Sequence, residues 1–200
     1  MIYSNLFCAI DVETTGLDPE KHEIVQIAIQ PLDHNFNILA DVAPFYLDIL
    51  PTRPENWQAW GECDPAKRLE QLQLTGIDPN KAKELLEDWF MRLQLIQNRF
   101  IIPIGHNWFN FDKLVIKKWL GATVFDSYFH YNARDTMLIA SWINDFSAYR
   151  FAVRKPFKSV SLNELCKFFK IQNVNAHDAL ADALATAQVF KALLGMNLAG

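Results

Sequence analysis

Phe7-Cys-Ala-Ile-Asp-Val-Glu-Thr-Thr-Gly-Leu-Asp-Pro19 is the stretch on which the reading of this chain turns. The run Leu6 to Ile10 is apolar and leads into Asp11-Val-Glu13. In a strand, successive side chains alternate between faces, so Asp11 and Glu13 share one face at the strand's end. Two anions a few ångströms apart repel unless a divalent cation accepts both, and hard oxygen ligands of this kind suit Mg²⁺ or Mn²⁺. Alone, such a pair also fits two solvated surface acids, and its surroundings must decide.

Downstream, Ile24 to Leu32 and Ile38 to Leu47 are two further apolar runs, and the three together predict successive strands. Their short connections favour antiparallel pairing. In the middle run Val25, Ile27 and Ile29 share one face and Ile24, Gln26, Ala28 and Gln30 the other, which predicts that the first set meets the core. Residues 51–80 contain Pro51, Pro54, Pro65 and Pro79 with Trp57 and Trp60, and read as an irregular surface insertion. From Asn80 the period changes: Leu85, Leu86, Trp89, Phe90 and Leu93 recur at helical spacing, predicting an amphipathic helix that ends near Asn98. Phe100 to Ile104 reads as a short buried strand and Lys113 to Leu120 as a helix, an alternation that implies parallel pairing. Ser161-Leu-Asn-Glu164 is a capping box, and an alanine- and leucine-rich run from Asp178 predicts a last helix to about Leu194. The fold class is α/β, a mixed central sheet of three antiparallel strands followed by parallel ones, flanked by helices. Residues 1–200 read as a single domain.

Composition narrows the choices. Of 200 residues 50% are hydrophobic and 21% charged, with only 7 glycines and 9 prolines, which excludes disordered and collagen-like chains. No window approaches the length of a membrane span, and the start reaches Asp11 without a basic region, unlike a signal peptide. Cys8, Cys63 and Cys166 are too few and too widely spaced for a disulfide framework or a zinc knuckle. A cytoplasmic protein without membrane attachment is expected. The net charge of −4 hides an asymmetry, because residues 1–88 hold 16 acids and 6 bases whereas residues 89–200 hold 7 acids and 13 bases. An acidic half suits cations and a basic half suits polyanions, although such a bias is also what a solvated face produces.

Three separated segments give the acid pair its context. Phe7 to Pro19 resembles the first motif of the DEDD superfamily of 3′→5′ exonucleases; Gly105-His-Asn-Trp-Phe-Asn-Phe-Asp112 resembles the second; and His177-Asp-Ala-Leu-Ala-Asp182 resembles the third, in the branch that carries histidine, as the DnaQ-like exonuclease domains do. The likeness runs from about Leu6 to Leu194. Thr75-Gly76-Ile77 also resembles a small turn of that family. The spacing of three residues between Asn107 and Phe111 departs modestly from the commoner two, and residues 51–74 align with no motif.

The resemblance implies a ribonuclease-H-like sheet and two Mg²⁺ or Mn²⁺ ions per site, held by Asp11, Glu13, Asp112 and Asp182, with His177 accepting a proton from the attacking water. It implies that Asp11 is shared by both ions, that Glu13 and Asp182 complete one shell, and that Asp112 serves the other. Thr14, Thr15, Gly16 and Leu17, with Asn107 and Phe111, are implied to meet the last nucleotide. Five residues turn a helix through roughly 500°, so His177 and Asp182 cannot share a face if both are helical, and one must precede the helix. His106 reads as a packing residue and Asp135 as a cap. Phe146 to Asn163 holds no acid, and its Arg150, Arg154, Lys155 and Lys158 alternate with Tyr149, Phe151 and Phe157, a mixture suited to a single strand. That loop is expected to border the substrate path, with Lys113, Lys117 and Lys118 in a similar role. The expected activity is release of nucleoside 5′-monophosphates from the 3′ end of single-stranded DNA. An exoribonuclease and a non-catalytic nucleic-acid-binding module of the same fold are the alternatives. A polymerase or replication partner, acting in trans, and a dimer are the associations the family suggests.

Overall fold

Strand β1, Leu6–Thr14, is the axis of the molecule, because its neighbours carry every other part of the site. The computed structural model describes residues 6–58, 64–97, 100–151 and 155–197. Five strands form one sheet in the order β3-β2-β1-β4-β5. β2 (Ile24–Leu32) runs antiparallel to β1, with Asp11 opposite Ala28 and Glu13 opposite Gln26. The register slips between Glu13 and Thr14, so the chain bends away directly after the second acid. On the other side β4 (Ile101–Gly105) pairs parallel with β1, and the two-residue β5 (Arg134–Asp135) pairs parallel with β4. This is the mixed, ribonuclease-H-like sheet that the sequence implies.

Two elements depart from expectation. The third strand, β3, covers only Phe45–Asp48 and not Ile38 to Leu47. Ile38 makes an isolated bridge to Leu32 and is 56% exposed, and Pro44, with no N–H to give a ladder, stands at the start of the true strand. Residues 51–80 are also not irregular throughout. Helix α1, Pro65–Thr75, begins at Asp64, whose carboxylate accepts the N–H groups of Ala66 and Lys67, and Pro65 occupies the first turn where no N–H is required. A short 3₁₀ turn, Pro54–Asn56, precedes it, and Ile77 bridges Ile49 in parallel. Trp60 and Cys63 lie outside the described residues.

The helices then follow as α2 (Pro79–Gln97), α3 (Asp112–Leu120), α4 (Ala122–Tyr128), α5 (Thr136–Phe151), α6 (Leu162–Phe169) and α7 (Ala179–Leu194). No described helix is long and apolar enough to cross a membrane. Ile10, Val12, Ile27 and Ile29 face a layer built from Leu86 and Phe90 of α2, Val115 and Ile116 of α3, and Phe125 and Phe129. The opposite face is closed by α7, where Ala179, Ala183, Ala187 and Phe190 meet Ala9, Ala28, Leu32 and Ile104. A third cluster joins α5, α6 and α7 through Ala140, Ile143, Leu165, Val189 and Leu193.

Because α7 covers that face, β2 is buried along all nine residues, Gln26 and Gln30 included. The alternation in its sequence therefore does not separate core from solvent. Alanine facing alanine lets the helix axis approach the sheet closely. Ala183, fully buried in that seam, has no room for a larger side chain. Ala183→Leu is expected to lower unfolding free energy by about 1–3 kcal/mol, read by urea denaturation, through the strain of overpacking.

Candidate active site

The four acids of the site arrive on two kinds of support, one strand and the first turns of two helices. Asp11 and Glu13 project from the last turns of the pleat of β1, on the face that α7 covers. Asp112 is the first residue of α3 and is buried, its Oδ1 accepting the N–H of Val12 at 3.2 Å. Asp182 lies in the first turn of α7 and is also buried. His177 precedes that helix with φ of 70°, while Asp178 caps it by accepting the N–H of Ala181 at 3.0 Å. One of the pair thus stands before the helix, as the turn angle requires. The N–H of His177 donates to Oδ2 of Asp182 at 3.2 Å, and the Asn173 side-chain amide donates to Oδ1. Ligand atoms of Glu13, His177 and Asp182 all lie within 4.8 Å of one another.

The electrostatics of this cluster are those of acids without enough positive charge. Burial lifts Asp11 well above the usual carboxylate range, and Asp112, Glu13, Asp182 and Asp178 lift it further. Glu13 is raised to about 8, by burial first and then by Asp182 and Asp112, with Arg68 pulling the other way. Asp112 rises to about 7 through burial, against the backbone N–H groups that favour its charged form. Asp182 is raised by burial despite its hydrogen bonds from Asn173 and His177. A divalent cation resolves this strain by accepting oxygen ligands from several acids at once, so the donor set fits Mg²⁺ or Mn²⁺.

The flanking loops are built to be rigid. Thr14 donates to the carbonyl of Gly16 at 2.7 Å; Thr15 accepts the Glu23 N–H at 3.1 Å and lies 3.3 Å from Nδ1 of His22. Both threonines are buried, so their hydroxyls hold the loop together, and what the loop offers outward is Leu17, 64% exposed. A Cβ on Gly16 would stand 2.6 Å from the His22 ring, so only glycine allows that contact. The loop after β4 is held by buried Asp135, whose Oδ1 accepts the N–H groups of Asn107, Met137 and Leu138. Asp135 is the expected cap of α5 and also the anchor of the second loop. Asn107 takes φ of 68° there, and the partly buried Phe111 packs on the core at the head of α3. His106 hydrogen-bonds Thr136 at 2.8 Å, and burial pulls its imidazole down to about 4.

The described part of the basic loop packs along α5. Arg154 lies outside the described residues. Phe157 exchanges two hydrogen bonds with Asn144, about 12 Å down α5 from Thr136. Lys155 pairs with Asp145 at 3.5 Å, and Lys117 with Asp126 at 2.8 Å. Lys118 donates to the carbonyls of Pro19 and Glu20, bracing the Leu17 loop from behind. Reading the sequence missed Gln26, Tyr46, Asp48 and Arg68 beside the site; two polar residues on an otherwise apolar strand, Gln26 and Gln30, were the only available sign.

A sequence model of the RNase_T exonuclease family matches residues 8–62 and 72–190. The chain belongs to this family. It is an exonuclease, a hydrolase with the acids and histidine of the DEDD histidine branch. Among its relatives, an oligoribonuclease of Chromobacterium violaceum is 22% identical over 187 residues, covering 90% of this chain and 88% of the relative. The 3′-5′ DNA exonuclease Cap18 of Escherichia coli is 24% identical over 187 residues, covering 93% and 90%. A zinc-bound structure of the Escherichia coli exonuclease I–single-stranded DNA complex superposes with a TM-score of 0.65 at 21% identity, over 94% of this chain. This chain spans 40% of that exonuclease I chain, and the likeness there is one of fold.

The raised carboxylates set the sign of the pH dependence. Native Glu13 and Asp112 keep protons that the unfolded chain has released, so metal-free stability is greatest at acid pH and falls as pH rises from about 4 toward about 8. Thermal melts in EDTA are expected to show that fall, Mn²⁺ to reverse it at pH 8, and Asp11→Asn to flatten it while raising the metal-free midpoint.

Proposed function

We propose that this exonuclease removes nucleoside 5′-monophosphates from the 3′ end of single-stranded DNA with two Mg²⁺ or Mn²⁺ ions. The observation that carries the reading is the convergence of Glu13, Asp182 and His177 beside half-buried Asp11 and buried Asp112 at the end of β1. Bound there, the two ions would activate water and neutralise charge on the phosphodiester, with Asp11, Glu13, Asp112 and Asp182 as their ligands. His177, exposed and outside the helix, accepts the proton of the attacking water at an imidazole nitrogen. Leu17 packs against the terminal base, and the rigid turn at Gly16 keeps it there. Asn107 and Phe111, on the loop anchored by Asp135, border the same nucleotide from the β4 side. A second reading, an exoribonuclease acting on short RNA, is supported by the match to an oligoribonuclease across most of both chains. The match to Cap18, named for DNA, covers 93% of this chain and 90% of that relative and supports the DNA reading.

Matched DNA and RNA strands labelled at the 5′ end decide between them. With Mg²⁺ or Mn²⁺ the wild type is expected to give a ladder that shortens from the 3′ end, faster on DNA, and none in EDTA. Asp182→Ala is expected to abolish it and His177→Gln to lower kcat by ~10²–10⁴. A faster ladder on RNA would favour the second reading, and binding without shortening would reduce the site to a nucleic-acid-binding module.

A further inference from the structure

The family match breaks between residues 62 and 72, and most of helix α1, Arg68 included, fills that break. Arg68 nevertheless reaches toward the site. Its Nη2 donates to Oδ1 of Asp48 at 2.9 Å, and Thr75, the last residue of α1, donates its hydroxyl to Oδ2 at 2.7 Å. Both oxygens of Asp48 are thus held by the same helix. The side-chain amide of Gln26, buried at 2% exposure, donates to Asp48 Oδ1 and to the Tyr46 hydroxyl, each at 2.8 Å. Its carbonyl accepts the N–H of Ala179 at 2.8 Å, which fixes the amide's orientation. Tyr46 passes its own proton to Oδ2 of Asp178 at 2.6 Å.

Every hydroxyl and amide proton along this line has an acceptor, and the line ends at two adjacent residues, Asp178 and Ala179, where α7 begins. Directly before them His177 sits in the left-handed region, a conformation that a non-glycine residue keeps only when its surroundings impose it. Directly after them comes Asp182. Alanine packing sets how near α7 lies to the sheet, but it leaves rotation and sliding of the first turn poorly determined, because small side chains interlock weakly. Directional hydrogen bonds supply what the packing lacks.

We propose that Arg68, Asp48, Gln26 and Tyr46 form a clamp that fixes the first turn of α7, so that helix α1 positions His177 against Asp182 and Glu13 for hydrolysis. These are positioning residues, and the inference rests on the exonuclease reading above. Tyr46→Phe removes one hydroxyl and leaves the ring. It is expected to lower kcat on single-stranded DNA ~10-fold or more, with KM within about two-fold, as for groups that orient a ligand. Arg68→Ala is expected to act in the same direction. Arg68→Lys restores most of the rate, because the lost contact to Asp48 is a single donor. Hydrogen exchange in metal-free protein gives an independent reading: amides of residues 177–182 exchange faster in Tyr46→Phe and Arg68→Ala, while those of β1 do not change.

Wild-type kcat and wild-type exchange in both variants would overturn the clamp, as would a loss confined to KM, which would make α1 a strand-binding element. The wild type in the same assay separates the two failures. An inactive wild type overturns the exonuclease reading, whereas an active wild type with equally active variants overturns the clamp alone.

Discussion

Burying several carboxylates together is the constraint around which this molecule is arranged. Asp112 is shut away from water and Asp11 is half-buried among acids of like charge, and each raises the cost of ionising the others. The chain meets this cost with backbone amides and helix ends. Asp112 begins α3 and Asp182 falls in the first turn of α7, the ends at which free N–H groups and the helix dipole favour negative charge. The N–H groups of Val12 and His177 reach Asp112 and Asp182 directly. These contacts fall short of neutrality, since the acids remain raised. What is left over is the affinity for a cation, so an electrostatic deficit in the protein alone becomes binding capacity once a metal is present.

Packing makes that deficit possible. The alanines at 9, 28, 179, 183 and 187 bring α7 onto the sheet with little between them, so Asp182 can stand beside Glu13. Larger residues in the seam would separate the acids and relieve the strain, and the site's cation affinity with it. On the other face of the sheet, Ile27, Phe90, Trp108 and Ile116 form an interior that gives β1 an unmoving base. The two loops framing the site are tied down separately, one by Thr15 and His22 and the other by Asp135. Rigid supports under each acid suit chemistry that depends on fixed charge placement.

How much of this could be read from the sequence follows from the range of each interaction. β1 and its acid pair, the helix over Asp178 to Leu194 and the break between His177 and Asp182 are local consequences of side-chain period and capping, and they stand where expected. β2 has the expected bounds and core face, but its alternation of Gln with Ile mimics a strand with one wet face, whereas α7 buries that face and gives Gln26 partners 20 to 153 residues away. α1 was obscured by the prolines around it, although Asp64-Pro65 is a capped helix start. Only Leu72 of α1 is buried, so the helix has no apolar stripe for a periodicity argument to find. Its importance lies in Arg68, whose partner Asp48 is 20 residues distant and on a strand.

The charge asymmetry shows how far composition can mislead about contact. Of the acids in the first half, Asp11 and Glu13 belong to the buried cluster, while Asp18, Asp33 and Asp64 serve local turns and a helix cap. In the second half, Lys117 and Lys155 are paired with acids and Lys118 with backbone carbonyls. These three cations therefore hold the protein to itself, and the ion pairs involved are exposed enough to contribute little to stability. What survives pairing is the long-range field, which acts on a polyanion's approach more than on its grip and fades with added salt. On the function proposed above, the grip on the 3′ end comes from short-range contacts at Leu17 and Asn107 and from the acids' demand for cations. A strand whose own phosphates recruit those cations completes the neutralisation that the protein leaves unfinished.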